Sequence, residues 1–312
     1  MQIKNLIAAT YAPMNKDQSL NLEVIASYKA FLKNNSIAGA FVNGSTGDFV
    51  SLTVQERKLI VEEWSKYRSD DFTLINHVGH TSLKVAKELT EHSSDKVDAI
   101  AALAPFYFKP KTLQSLVFYC EEIAKEAPHL PFYYYHIPVL TGVDFDMVEF
   151  LQLVEKLIPN FAGIKFTEDN LQAYQNCANY NNGKYNILFG VDEKNYESRA
   201  FEAKGWVGST YNHLAPLYYK ISELVASNKH SKAKELQKKA VRFVTLLDSY
   251  GGFNGVAKGF MKTLGIDCGP SRYPHTTLTD TDYVGIQKEL DAIGFDDLFS
   301  KNSELITPNS KI

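Results

Sequence analysis

The sequence predicts a TIM (β/α)8 barrel with a C-terminal helical extension, an α/β fold. Three observations predict it: eight short apolar runs of strand character, a helical stretch after nearly every one, and a long remainder that reads only as helix. Several of the runs are apolar on consecutive residues, the pattern of strands covered on both faces, as in a barrel ringed by helices. The turn after the first run, Thr10-Tyr11-Ala12-Pro13, is not the Gly-rich turn that an open dinucleotide-binding sheet would place there.

The strand candidates are residues 6–10, 39–43, 73–78, 99–104, 132–136, 163–167, 187–191 and 206–210. Helical periodicity occupies 20–33. After the second strand, Thr53 with Glu56 three residues on forms a capping box ahead of the apolar stripe Leu59, Ile60 and Trp64. Further helices read at 82–91, 112–125, 145–157 and 171–179, with a short one at 196–203. Beyond the eighth strand they read at 216–227, 231–249, 256–264 and 281–293. The expected organisation is a barrel over 1–215, an extension packed on it over 216–300, and a flexible polar tail over 301–312 with Pro308 and Ser310.

Composition narrows the function classes. With 312 residues, 45% hydrophobic and 22% charged, the chain has the make-up of a soluble globular protein with a sizeable core. A net charge of −3 and no long basic stripe argue against nucleic acid or acidic membranes; the lysines of 229–239 read as a solvated helix face. No run approaches membrane-spanning length, and the apolar stretch 6–10 is too short for a signal peptide. Three cysteines without CxxC spacing argue against a disulfide framework or structural zinc and fit a reducing cytoplasm. The expected partner is a small molecule.

Barrels of this class carry their reactive groups at the C-terminal ends of the strands, and four places there hold candidates. Strand two ends in Asn43-Gly44-Ser45-Thr46-Gly47-Asp48, where hydroxyls and amides in a tight turn can receive an anion; as a P-loop it lacks the lysine, and a plain structural turn is the alternative. Strand five carries Tyr133, Tyr134 and Tyr135 before His136-Ile137-Pro138. Alternation points Tyr133 and Tyr135 to one face, and Tyr135 lies at the strand end, where a phenol can move a proton; packing is the alternative. Strand six reads Ala162-Gly163-Ile164-Lys165-Phe166-Thr167. A lysine in an apolar strand either snorkels outward or is buried for use, because burial disfavours an ammonium and yields the free amine that attacks a ketone. Strands seven and eight end in Gly190-Val191-Asp192-Glu193 and Gly208-Ser209-Thr210. With no His or further carboxylate at ligand spacing, a polyol fits these groups better than a metal.

The motifs G-S-T-G-D, Y-Y-Y-H-I-P, G-I-K-F-T and F-G-V-D-E, in this order and across nearly the whole chain, resemble the N-acetylneuraminate lyases, a branch of the dihydrodipicolinate synthase superfamily of aldolases. The resemblance implies a lyase that splits sialic acid reversibly into N-acetylmannosamine and pyruvate. It implies that Lys165 forms the Schiff base, that Tyr135 shuttles the proton, and that Ser45 and Thr46 hold the keto acid carboxylate. Thr167, Gly190, Asp192, Glu193 and Ser209 match residues that contact the sugar hydroxyls, and Tyr107 matches a tyrosine inserted into a neighbouring subunit's site. It further implies no metal or organic cofactor beyond the covalent lysine, and a homotetramer built from dimers. The chain departs from many relatives at Asp48, where Glu is common, and at Phe108, where a second tyrosine is common.

Other readings remain at this point. Dihydrodipicolinate synthases carry an Arg shortly after the I-P or V-P step, whereas here the stretch is Val139-Leu140-Thr141-Gly142. A 2-keto-3-deoxy sugar acid aldolase would also take a polyhydroxylated substrate. A non-catalytic keto acid-binding protein on the same barrel is a reading from a different class.

Overall fold

The structure, a computed structural model, describes residues 2–295 and 297–302. Eight parallel strands, β1 (Asn5–Ala9), β2 (Gly39–Val42), β3 (Thr73–His77), β4 (Ala99–Leu103), β5 (Phe132–His136), β6 (Phe161–Phe166), β7 (Asn186–Phe189) and β8 (Gly205–Gly208), close into a barrel in sequence order, with β8 paired to β1. Each lies within three residues of its expected bounds. The consecutive apolar residues are explained by two cores: Ile7, Phe41, Ile75, Tyr133 and Leu188 fill the barrel, while Leu6, Ala40, Leu74, Tyr134 and Ile187 meet the helices.

The N-terminal mouth is plugged. Asn186 at the start of β7 accepts from Tyr133 Oη (3.1 Å) and Ile3 N (2.9 Å), and its amide donates to Ile3 O (3.2 Å). Side chains that need access therefore face the other mouth.

The ring of helices comprises α1 (Val24–Asn34), α2 (Val54–Ser65), α3 (Leu83–Ser93), α4 (Leu113–Ala124), the short α5 (Pro138–Thr141), α6 (Met147–Leu157), α7 (Leu171–Asn179), α8 (Asn195–Ala200) and α9 (Tyr211–Ala226). The expected capping box heads α2: Thr53 Oγ1 accepts from Glu56 N (3.1 Å), and Glu56 Oε2 accepts from Thr53 N (2.8 Å). Helix α5 has only one turn, too short for a periodic signal; Pro138 begins it and Gly142, at φ 61°, ends it.

Helix α9 starts at Tyr211, not at the expected Pro216. Proline is a good helix start, but here it sits inside, and the helix gives way at Leu214 (φ −126°, ψ 27°). Ser300 repairs the break: its N–H donates to His213 O (2.6 Å), and its Oγ accepts from Ala215 N (3.2 Å). Because α9 follows β8 and packs on β1, it is the eighth barrel helix. A boundary at 215/216 would cut it, so we place the start of the extension after Ala226.

The extension consists of α10 (His230–Ser249), α11 (Phe253–Phe260) and α12 (Asp280–Ala292). His213, Phe243, Phe260, Phe295 and Phe299 pack edge to face, tilted or, for Phe295 on Phe299, stacked, at centroid distances of 5.4–6.3 Å, and join it to α9. Of the expected tail, 303–312 lie outside the described residues, while Lys301 N–H donates to Asn35 Oδ1 (2.9 Å).

Candidate active site

Strand alternation turns Gly163 and Lys165 inward and leaves Ile164 and Phe166 against the helices. Lys165 is 3% exposed, at the open mouth of the barrel. The outward alternative for this lysine is thereby removed. Its Nζ sits 3.7 Å from the Tyr135 ring centroid and 4.4 Å from that of Phe41, on ring faces that also favour a cationic nitrogen. Tyr135 is its register partner on β5, and both Tyr133 and Tyr135 belong to the inner core, as alternation required.

The turn after β2 is held from two sides. Asn43, in the left-handed region at φ 56°, donates to Arg57 O (3.0 Å) and Asn76 Oδ1 (2.9 Å). From the extension, Asn254 donates to Ser45 O (3.4 Å), and His275 Nε2 lies 3.5 Å from Asp48 Oδ1. Ser45 Oγ then stands 3.4 Å from Tyr135 Oη. Beneath it, burial and then Arg57 hold the His77 imidazole well below its ordinary pKa. His77 is therefore neutral: Nδ1–H donates to Asn43 O (2.8 Å), and Nε2 accepts from Leu103 N (3.3 Å). It is a strut of the wall.

On the far side, Asp192 begins a turn of 3₁₀ helix, Asp192–Lys194, and is buried. Its Oδ2 accepts from Thr210 N (2.9 Å) and Thr210 Oγ1 (2.7 Å), while Oδ1 is buried without a partner over Gly208, where a Cβ would overlap it. Burial raises the Asp192 pKa against the opposing Thr210 bonds, and burial followed by the neighbouring Asp192 raises that of Glu193. Thr167 Oγ1 is likewise buried and unpartnered, against Gly190, where a Cβ would collide with it. Leaving such atoms unpaired costs about 1–3 kcal/mol each, so they suit a ligand that brings hydroxyls.

One cavity of about 190 Å³ brings together Ser45, Thr46, Tyr135, Lys165, Thr167, Gly190, Asp192, Glu193 and Ser209. Thr210, at the end of strand eight, also lines it, and so do Val244 and Phe253, which were not expected. Val244 and Phe253 come from the extension, whose approach to the mouth no local pattern announces.

Tyr107 does not reach this cavity. It is 77% exposed, with its ring 5.0 Å from that of the 87% exposed Phe108. A larger groove of about 450 Å³ adjoins the site at Ser45 and Thr46, with Phe49, Val50, Leu103, Phe106 and Leu140 on its walls. It holds no amine. The side-chain nitrogen of Lys109 packs against Gly142 and does not line this cavity, where Lys165 is the only Lys or Arg among the described residues.

Asp192 and Glu193 belong to no metal-ligand group among the described residues. His136, Asp144 and Glu168 do place ligand atoms within 4.8 Å of one another, but none of them lines the cavity, and His136 Nε2 is 3.1 Å from Glu168 Oε2. No helix among the described residues is long and apolar enough to cross a membrane.

Residues 2–293 match the dihydrodipicolinate synthetase family. The chain belongs to that family. Relatives within it include N-acetylneuraminate lyase A of Xenopus laevis, 39% identical over 88% of this chain and 90% of the relative, and the Homo sapiens N-acetylneuraminate lyase, 37% identical over 97% of both. The solved N-acetylneuraminate lyase of Proteus mirabilis superposes with a TM-score of 0.89 at 35% identity, covering 95% of this chain and all of that one. A Ruminococcus gnavus sialic acid aldolase superposes at 0.85 with 30% identity over 93% of this chain and 96% of that one. The family's fold is thus present over the whole described barrel and its extension.

Proposed function

We propose that the protein is a Schiff-base lyase that splits N-acetylneuraminate reversibly into N-acetylmannosamine and pyruvate. The observation that carries this is the buried amine of Lys165 in one cavity with a hydroxyl-lined turn, a phenol and two buried acceptors for hydroxyls. The names of the relatives supply the substrate.

In this reading Ser45 and Thr46 receive the carboxylate of the open-chain keto acid, and Lys165 Nζ attacks C2, losing water to give an iminium. The iminium draws the electrons of the C3–C4 bond as the C4 hydroxyl gives up its proton, leaving an aldehyde and the enamine of pyruvate. A neutral phenol takes that proton only by passing on its own, and Ser45 Oγ is the next hydroxyl from Tyr135 Oη. Protonation of C3 and hydrolysis return the amine. The iminium is the electron sink, so no step is assigned to a metal or organic cofactor.

Thr167, Gly190, Asp192, Glu193 and Ser209 face the hydroxyls of the sugar end, where the two unpartnered oxygens wait. A second substrate carboxylate, as in aspartate semialdehyde condensation, finds no Lys or Arg there besides Lys165 among the described residues. Tyr107 acts from a neighbouring copy in a homotetramer built from dimers. Three buried, unpaired cysteines agree with a reducing cytoplasm.

The test is pyruvate release from N-acetylneuraminate and from 2-keto-3-deoxygluconate, with semialdehyde condensation alongside, and borohydride trapping with pyruvate. Wild type is expected to prefer N-acetylneuraminate and to gain a pyruvate adduct on Lys165. Lys165→Ala is expected to stay folded and lose both. Turnover by that variant would overturn the mechanism, and preference for another keto acid would overturn the substrate.

A further inference from the structure

The sugar-facing end of the cavity stands on the single 3₁₀ turn Asp192–Lys194, and that turn is braced from outside the barrel. Helix α10 presses Gln237, 4% exposed, against it. The side-chain Nε2–H donates to Asp192 O (3.1 Å), and Oε1 accepts from Tyr196 N–H in the first turn of α8 (2.8 Å). One planar amide therefore ties the first residue of the turn to the helix that follows it. The Tyr196 donor is one that a helix N-terminus leaves without an internal partner. On the cavity side, Thr210 takes Asp192 Oδ2, and Oδ1 has no partner.

We infer that Gln237 is a positioning residue. Through these two bonds it sets where the Asp192 and Glu193 carboxylates stand, and with them the recognition of the substrate's polyhydroxyl end. It takes no part in imine formation, because Lys165 is fixed by other elements: β6 and the rings of Tyr135 and Phe41. The inference rests on the sugar-acid reading of the cavity given above. Its sequence signal is a glutamine in the buried stripe Ala233, Gln237, Ala240, Phe243, Leu247, where an amide needs partners that a core does not offer by itself.

The experiment compares wild type, Gln237→Met and Gln237→Glu by KM for N-acetylneuraminate and by the pyruvate concentration that half-saturates borohydride trapping at Lys165. Met keeps the length and removes both bonds; Glu keeps the bond from Tyr196 N–H but sets a carboxylate against the Asp192 carbonyl. Both variants are expected to raise KM, Met by about tenfold and Glu by more, while pyruvate trapping stays at the wild-type level. Trapping also reports a folded site. Parallel changes in KM and trapping, no change in either, or loss of the folded state in both variants would each overturn the proposal. If wild type is trapped by pyruvate but does not cleave N-acetylneuraminate, the substrate reading fails on its own, and the same comparison is made on the hydroxylated keto acid that it does cleave.

Discussion

Tyr135 makes two contacts, one with Lys165 and one with Ser45, that substitution can separate. Its ring face lies 3.7 Å from Nζ, and its hydroxyl lies 3.4 Å from Ser45 Oγ. In the proposed mechanism the first contact holds the amine and favours the cationic iminium, and the second gives a departing proton a route. Tyr135→Phe keeps the ring and removes the route. Carbon–carbon cleavage is then expected to slow by about 10²–10⁴-fold, while the borohydride-trapped adduct with pyruvate forms nearly as in wild type. Equal losses in steady-state rate and in trapping would remove the proton role and leave Tyr135 as packing. Across the cavity, Asp192 spends one oxygen on Thr210 and buries the other over Gly208.

At the scale of elements, the segment after α11 acts as a strap over the turn after β2. Arg272 donates to Glu56 Oε1 (2.5 Å) and Oε2 (2.8 Å) and to Ser51 O (2.8 Å), and His275 reaches Asp48 and Asn254. Lys258 holds the strap's root by donating to Pro270 O (2.7 Å), and burial pushes its pKa down to about 8. The hydrogen bonds from Arg272, with those from Thr53, lower the Glu56 pKa from 4.5 to about 2. A depressed carboxylate stabilises the fold fully above its unfolded pKa, so this contribution is present above about pH 4.5 and is lost as the pH falls through about 2. Glu56→Gln is therefore expected to unfold at lower temperature than wild type near neutral pH. The gap between the two thermal midpoints should narrow steadily below about pH 4.5; a gap that is constant with pH would mean that the ion pair is not its source.

Glu56 also shows how far the chain could be read without coordinates. Its capping role was legible, because Thr53 is three residues away, but Arg272 is 216 residues away and nothing local joins them. The strands were legible for the same reason as the cap: two covered faces leave a mark on consecutive residues. Alternation placed Tyr133 and Tyr135 on one face, but that this face and Lys165 turn inward is seen only in the fold, where Lys165 is 3% exposed. Whatever depends on distant chain was not legible. Val244 and Phe253 in the cavity wall, the brace of Gln237, and the repair of the α9 kink by Ser300 all bring the extension onto the barrel.

For the whole molecule, Tyr107 poses the question of assembly. The chain exposes Tyr107, Phe108, Val139, Leu140 and Val50, and three of these, Val139, Leu140 and Val50, accompany the apolar groove or its α5 rim. A lone chain would leave this apolar surface in water, and an interface between copies would cover it. If Tyr107 serves a neighbour's cavity, then its loss and the loss of Lys165 damage different sites. A chain with Lys165→Ala still donates Tyr107, and a chain with Tyr107→Phe still owns Lys165. Each variant alone is expected to be nearly inactive, and co-expression of the two should restore activity through cavities that pair Lys165 of one chain with Tyr107 of another. The measurement is pyruvate release from purified hybrid assemblies against mixtures of the separately assembled variants. Activity in Tyr107→Phe equal to wild type, or hybrids no more active than the mixtures, would place the whole reaction within one chain.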